Sequence, residues 1–175
     1  FYLFRFHEIG NLREDVAIFE AEAALHSVEE MRLNVDRNVS LTWWEIYILD
    51  RSLDTINDNQ SLLRQLVEVA TTKYEVGKGL QQDVLLAQLE LSKLLDHEIR
   101  ISAMRDQRSI NLNVLMGRSP EVAVILPAVT SLPKSPAESV ALLYERAELN
   151  RPILGQQQAV VSASESRLEL AKKDY

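Results

Sequence analysis

Apolar side chains recur along the first half of the chain at alternating steps of three and four residues. Between Asn11 and Val76 no proline or glycine interrupts this pattern, and its only polar members are Thr42 and Gln60. Such spacing places one apolar seam along an amphipathic α-helix. The pattern predicts a single helix from about Asn11 to Val76, roughly 90 Å long at the usual rise per residue. The members of this first seam are Ala17, Ala21, Ala24, Val28, Met31, Val35, Val39, Thr42, Ile46, Leu49, Leu53, Ile56, Gln60, Leu63, Val67, Ala70 and Tyr74.

A second helix is predicted from about Leu80 to Met116. Gly77 ends the first helix because glycine adopts the left-handed conformation that follows a helix without strain, and Gly117 ends the second in the same way. Two long helices joined by so short a turn form an antiparallel hairpin. The second seam keeps the same spacing but is more polar, and its members are Val84, Ala87, Leu91, Leu94, Glu98, Ile101, Arg105, Arg108, Leu112 and Leu115.

Both predicted helices also carry a second apolar stripe. A two-stranded coiled coil needs only one seam, so a second stripe predicts neighbours on both sides of each helix, as in a bundle or a closed wall of helices. The extra four-residue step from Val35 to Val39 is a stutter, which locally unwinds a supercoil. The second stripe comprises Leu41, Trp44, Ile48, Leu62, Leu66 and Val69 on the first helix, and Leu85, Leu89, Ile99, Ile110 and Val114 on the second.

The two ends of the chain do not continue this helical pattern. Residues 1–10 open with an aromatic and aliphatic run typical of the end of an extended strand, so we expect a residual strand or linker there and a chain that is a piece of a larger protein. Residues 118–134 contain three prolines and are predicted to be irregular. Residues 135–175 are predicted to form two shorter helices. The first is capped by Ser135 and runs to about Leu149; the second starts at Pro152.

The sequence therefore predicts an all-α fold: a long antiparallel coiled-coil hairpin over residues 11–117, with its tip at residues 77–79, plus shorter helices. The formal net charge of −7 and the lack of a basic patch argue against a nucleic-acid partner. There is no cysteine, and His7, His26 and His97 match no metal-ligand spacing, so no metal or cofactor is expected. No catalytic grouping of side chains is recognisable, so we expect no enzyme.

The turn between the two long helices carries a family resemblance. Lys73–Gly77 and the following Leu80–Gln88 resemble the TolC-like outer membrane efflux protein family. In that family an aromatic residue precedes a glycine by three positions, and an aspartate follows that glycine by six, before an Ala-Gln pair. Here these positions are Tyr74, Gly77 and Asp83, with the pair at Ala87-Gln88.

Two later landmarks agree in order and spacing with the same family. Leu115–Gly117 resembles the Leu-x-Gly that ends the family's second helix, and Arg151-Pro152 resembles the start of the helix that opens its second repeat. The resemblance covers about residues 11–175. The chain departs from the family at Gln81-Gln82, where serine or threonine is commoner, and Lys78-Gly79 is an unusual pair for the tip.

The resemblance implies a trimer in the full-length protein, with an outer-membrane β-barrel continued by a long periplasmic α-barrel. This chain would be the first periplasmic hairpin, the equatorial segment and the start of the second repeat, without the β-barrel strands. It implies the outer membrane of a Gram-negative bacterium as location, with this segment in the periplasm. The implied partners are a periplasmic adaptor (a membrane fusion protein) and an inner-membrane pump for multidrug or heavy-metal efflux.

The resemblance also implies site residues. Val76, Gly77, Lys78, Gly79 and Leu80 would form the adaptor-docking tip, although alone they need be only a helix–helix turn. Asp83 would hold the closed aperture and take part in gating, although a carboxylate in the first turn of a helix is favoured by the helix dipole alone. The aromatic cluster at residues 43–47 suits packing better than a ligand platform.

Two functions follow from this reading. The first is a passive exit duct, a water-filled trimeric tube whose tip hairpins twist outward when an adaptor docks. The alternative is a structural or scaffolding antiparallel coiled coil with no transport role.

Overall fold

The structure is a computed structural model that describes residues 2–127 and 138–174. It contains four helices, α1 (Tyr2–Glu75), α2 (Gln81–Leu115), α3 (Val140–Asn150) and α4 (Pro152–Asp174). No strand occurs within the described ranges, so the all-α prediction is confirmed. The chain divides into two compact units. Unit 1 combines Phe1–Asp36 with Ser131–Tyr175, and unit 2 is Arg37–Thr130.

In unit 2, polar side chains link α1 to α2 at three levels. The residue number falls on α2 as it rises on α1, so these two stretches run antiparallel. The pairs are Glu45 with Arg108 at 3.1 Å, Asp50 with Arg105 at 3.0 Å, and Gln60 with Glu98 at 2.7 Å. The three polar interruptions of the second seam thus each meet a polar partner on α1.

The seam positions of unit 2 are the shielded ones. Every member of the second seam, from Val84 to Leu115, is buried or half-buried, and so is every member of the first seam between Val39 and Ala70. Ile46 is completely buried. Burial of this apolar ladder supplies most of the helical stability, because long helices in proteins depend on packing of an amphipathic face more than on intrinsic propensity.

In unit 1, basic side chains of α4 and of Arg151, the residue directly before it, meet acidic side chains of α1. Lys173 pairs with Glu8 at 2.6 Å, Arg151 pairs with Glu30 at 2.9 Å, and Arg167 pairs with Glu20. Here too the numbers run in opposite directions, so α4 is antiparallel to this part of α1.

The first seam is wrong over residues 17–35. Its members there, from Ala17 to Val35, are exposed. The less exposed side chains are instead Leu12, Val16, Phe19 and Ala23. Both sets of positions fit helical spacing. The face of α1 that α4 covers is the one that lies beside the glutamates of α1 that form these ion pairs.

The expectation of an extended strand over residues 1–10 is also wrong for residues 2–10, which belong to α1. Backbone amide and carbonyl groups need hydrogen-bond partners, and a helix provides them within the segment itself. The pair between Glu8 and Lys173 adds a tertiary contact at this end of the helix.

Glycines end both long helices. Gly77 has a φ of 72° and Gly117 a φ of 66°. At the end of α1, the Lys78 amide donates to the Lys73 carbonyl at 2.8 Å and the Gly77 amide donates to the Tyr74 carbonyl at 3.0 Å. This is the Schellman arrangement, which satisfies the last carbonyls of a helix. The same pattern of hydrogen bonds surrounds Gly117.

The shorter helices agree with the sequence at one boundary and differ at another. α4 starts at Pro152 as predicted. α3 starts at Val140, and Ser139 is its cap, accepting from the Leu142 amide at 3.3 Å. The predicted start at Ser135-Pro136 lies outside the described ranges. Ser139 offers the same capping hydroxyl four positions later.

Candidate functional site at the α1–α2 turn

The turn between α1 and α2 depends on two glycines for different reasons. Gly77 needs its positive φ, and no atom would obstruct a Cβ there. Gly79 lacks room: a Cβ at this position would lie 2.9 Å from Cβ of Lys73 and 3.0 Å from the backbone nitrogen of Tyr74. The chain therefore passes close against the last turn of α1 before α2 begins, and a bulkier residue at position 79 would push it away.

Apolar side chains are exposed on both sides of this turn. Val76 precedes Gly77, and Leu80, which is 65% exposed, takes the N-cap position of α2 in an extended conformation without capping by its side chain. The Leu80 side chain thus supplies no hydrogen bond to the helix start, a place where Ser, Thr, Asp or Asn is normally preferred. An apolar residue that neither packs nor caps is suited to contact with another molecule.

An open groove continues from the turn along the first turns of α2. It has a volume of about 460 Å³ and is lined by Gln81, Gln82, Leu85, Leu86 and Leu89. Leu85 and Leu89 belong to the second stripe, whereas Leu86 belongs to neither the seam nor the stripe. An apolar residue outside both is the sequence signal that marks Leu86 as a member of this groove.

Asp83 lies in the first turn of α2 and its side chain is exposed. Its backbone amide donates to the Leu80 carbonyl at 3.1 Å. A carboxylate here is stabilised by the positive end of the helix dipole. The structure thus brings Asp83 to within two helical turns of the docking residues that the sequence predicted, and leaves its carboxylate available to a partner.

The second apolar stripe is uncovered. Its members on both helices are exposed, except Trp44, which is half-buried. Ile48, for example, is 60% exposed, whereas Ile46 two positions earlier is fully buried. Within unit 2, each of the two long helices therefore has one apolar face that packs against the other helix and one that does not.

The aromatic cluster consists of side chains that contact one another. Trp43 and Tyr47 are stacked with centroids 5.7 Å apart, and Trp44 meets both edge-on. The Arg51 guanidinium lies 5.5 Å from the centroid of the Tyr47 ring. The cluster's members are half-buried. This geometry favours packing over a ligand platform, because the rings already use their faces and edges on each other.

The histidines are dispersed. His7 and His97 are exposed, and His26 is half-buried beside Gly155 in unit 1. Within the described ranges no three His, Asp or Glu side chains are grouped as a metal site would require. Among the helices of residues 2–127 and 138–174, no apolar stretch reaches membrane-spanning length.

Comparisons with protein-family models, curated proteins and solved structures give no match for this chain.

Proposed function

We propose that this chain is the periplasmic helical part of a trimeric outer-membrane channel, which serves as a passive exit duct for a tripartite efflux pump. In this proposal α1 and α2 form one hairpin in the wall of an α-barrel, and the turn at residues 77–79 is its periplasmic tip. A periplasmic adaptor docks on the tip, and an inner-membrane pump supplies the energy for transport.

The observation that carries the proposal is the uncovered second stripe on both helices. In a closed wall of helices, each helix contacts a neighbour on either side, so each needs two apolar faces. An isolated hairpin needs one, and exposing the other costs solubility without benefit. The stripe runs along most of the paired region, from Leu41 to Val69 on α1 and from Leu85 to Val114 on α2, as lateral contact between hairpins requires.

The tip supports the docking part of the proposal. Val76, Leu80 and the groove at Leu85 and Leu86 present apolar surface around a turn made compact by Gly77 and Gly79. Lys78 adds a positive charge at the apex. A docking surface needs apolar contact at its centre with polar groups at its rim.

The gating part of the proposal concerns Asp83. In the closed channel its carboxylate would accept hydrogen bonds from neighbouring hairpins near the tip, and outward rotation of the hairpins would break these bonds. A contact made only in the closed state shifts the equilibrium toward that state. Removing it favours the open aperture.

The docking test uses two exposed apolar residues of unit 2 in the full-length protein. Leu80→Asp alters the tip, and Ile125→Asp places the same charge at an exposed position outside it. We expect Leu80→Asp to abolish export while the amount of outer-membrane trimer stays normal, and Ile125→Asp to leave both unchanged. Normal export by Leu80→Asp would contradict docking at the tip.

The gating test measures single-channel conductance in planar bilayers. Asp83→Ala is expected to raise conductance and to make cells leaky to large antibiotics, whereas Asp106→Ala, an exposed carboxylate further along α2, is expected to do neither. Unchanged conductance in Asp83→Ala together with normal efflux in Gly77→Trp would favour the scaffolding alternative, in which the hairpin has no transport role.

A further inference from the structure

The chain that follows α2 turns back along that helix in unit 2. We call residues 118–126 the returning segment. Asn113, which is completely buried, donates from Nδ2 to the carbonyl of Pro120 at 3.3 Å and to that of Val122 at 2.7 Å. Arg105 donates to the carbonyl of Val124 at 2.6 Å. Three carbonyls at alternate residues thus face α2, and two side chains of α2 hold them.

No regular secondary structure holds the returning segment. Within it, the only backbone hydrogen bond runs from the Val122 amide to the Ser119 carbonyl at 3.2 Å. At its start, the Arg118 amide donates to the Asn113 carbonyl of α2 at 2.8 Å. Beyond that residue, the hydrogen bonds that hold the segment to α2 come from the Asn113 and Arg105 side chains. The two side chains are eight residues apart, so they act at different points of the segment.

The Arg105 guanidinium has three partners on three parts of unit 2. Its Nε donates to Asp50 on α1 at 3.0 Å, one terminal nitrogen donates to the Ser109 hydroxyl at 3.1 Å, and the other donates to Val124 of the returning segment. The Arg105 and Asp50 side chains are both mostly shielded from water. Ser109 in turn donates to the Arg105 carbonyl at 2.9 Å.

The guanidinium is a rigid plane, so fixing one nitrogen fixes the direction of the others. Asp50 holds Nε, and this orients the terminal nitrogen that reaches the Val124 carbonyl. Without the carboxylate, the long Arg105 side chain would regain its rotamer freedom and hold Val124 less often.

We propose that Arg105 is a latch that closes the returning segment onto α2, and that Asp50 on α1 is its positioning residue. The latch couples two movements. Separation of α1 from α2 at the level of Asp50 releases the returning segment, and release of the segment weakens the contact between the helices. This coupling does not depend on the channel proposal.

The test is limited proteolysis with thermolysin, which cleaves before large apolar residues and so reports on Val122, Val124, Ile125 and Leu126. Asp50→Ala is compared with Asp54→Ala, a carboxylate one turn later that pairs with Arg51 of its own helix at 3.0 Å. Cleavage of a locally opened segment follows the population of the open state. A charge-assisted hydrogen bond accounts for a factor of about ten or more in that population.

We expect Asp50→Ala to speed cleavage within the returning segment about tenfold, although Asp50 does not touch the segment, and Asp54→Ala to leave the rate unchanged. Cleavage elsewhere in unit 2 should stay at the wild-type rate in both variants, because a general loss of stability would raise it throughout. Equal rates for Asp50→Ala and Asp54→Ala would overturn the proposal.

A second variant decides the matter if Asp50→Ala disturbs the helices. Arg105→Lys keeps a positive charge beside Asp50 but loses the planar fork that reaches Val124. Because the chain has no cysteine, a nitroxide can be attached at Ile125→Cys, which is exposed. The nitroxide spectrum should show faster motion in Arg105→Lys than in the wild-type background, and an unchanged spectrum would overturn the latch.

Discussion

Gln60 of α1 donates a hydrogen bond from its side-chain amide to a carboxylate oxygen of Glu98 on α2, across 2.7 Å. Gln60 is only 2% exposed, and its carbonyl oxygen accepts from Arg64 at 3.0 Å. Both residues stand at positions where the seam would otherwise be apolar. Their pairing satisfies polar groups that burial would leave without water.

Glu98→Ala should lower the free energy of unfolding by about 1–3 kcal/mol, because it leaves the buried Gln60 amide without its acceptor. The control is Glu90→Ala. The Glu90 carboxylate pairs with Lys93 of its own helix at 2.7 Å, and its removal should lower the free energy of unfolding by about 0.5 kcal/mol or less. Urea denaturation of both variants measures the difference. If the two variants lose equal stability, Gln60 and Glu98 do not stabilise each other.

Ile46→Ala and Ile48→Ala separate the seam from the second stripe. Ile46 is completely buried and Ile48 is exposed. We expect Ile46→Ala to cost about 2–4 kcal/mol, through lost burial and the cavity left behind, and Ile48→Ala to stay within about 0.5 kcal/mol. Thermal unfolding of the chain measures both, and an equal fall in midpoint would mean that the buried face is wrongly assigned.

Substituting alanine for each of the three glycines of α1 and its turn should change the stability for a different reason in each case. Gly77→Ala should destabilise by about 1 kcal/mol because of its positive φ, and Gly79→Ala should destabilise because its Cβ would crowd the last turn of α1. Gly10 lies inside α1 with open space around it, so Gly10→Ala should stabilise by about 0.5–1 kcal/mol. Chemical denaturation gives all three values. Stabilisation by Gly79→Ala would show that the turn is looser than described.

Gly155 of α4 and His26 of α1 should be coupled. A Cβ at Gly155 would lie 2.7 Å from the imidazole ring of His26. Gly155→Ala alone should gain little, because better helix propensity is offset by displacement of the ring. In a His26→Ala background the same change should gain about 1 kcal/mol. A double-mutant cycle measures the coupling, and additive effects would refute the contact.

Glu169 and Lys172 form a pH-dependent pair on α4. The hydrogen bond and the charge of Lys172 lower the pKa of Glu169 below its ordinary value of 4.5. A lowered pKa contributes stability above the ordinary value, and this is lost as the pH falls through the lowered one. Lys172→Ala should return the pKa toward 4.5, as followed by carboxyl carbon NMR. Lys173→Ala should have a smaller effect on the same signal.

The sequence by itself determined the elements and much of the pairing face. Helical spacing identified most shielded positions of α2, including Glu98, Arg105 and Arg108, because their places in the three-four pattern are fixed by the backbone period. It missed Ser109 and Asn113, which are polar and buried; Asn113 binds carbonyls of the returning segment. The ends of α1 and α2 at Gly77 and Gly117 were equally predictable, since a positive φ is a local requirement. So was the start of α4 at Pro152, where proline's missing amide is no loss.

Only the tertiary structure decided which face of α1 is covered before residue 36. Ala17 and its seam neighbours satisfy the helical period as well as Leu12 and Phe19 do, and periodicity cannot choose between two apolar faces of one helix. The choice came from α4 and the preceding Arg151, which lie more than a hundred residues later in the chain and whose basic side chains pair with Glu8, Glu20 and Glu30. The same holds for the contact of Arg105 with Val124. Such contacts form between segments distant in sequence, and no local pattern encodes them.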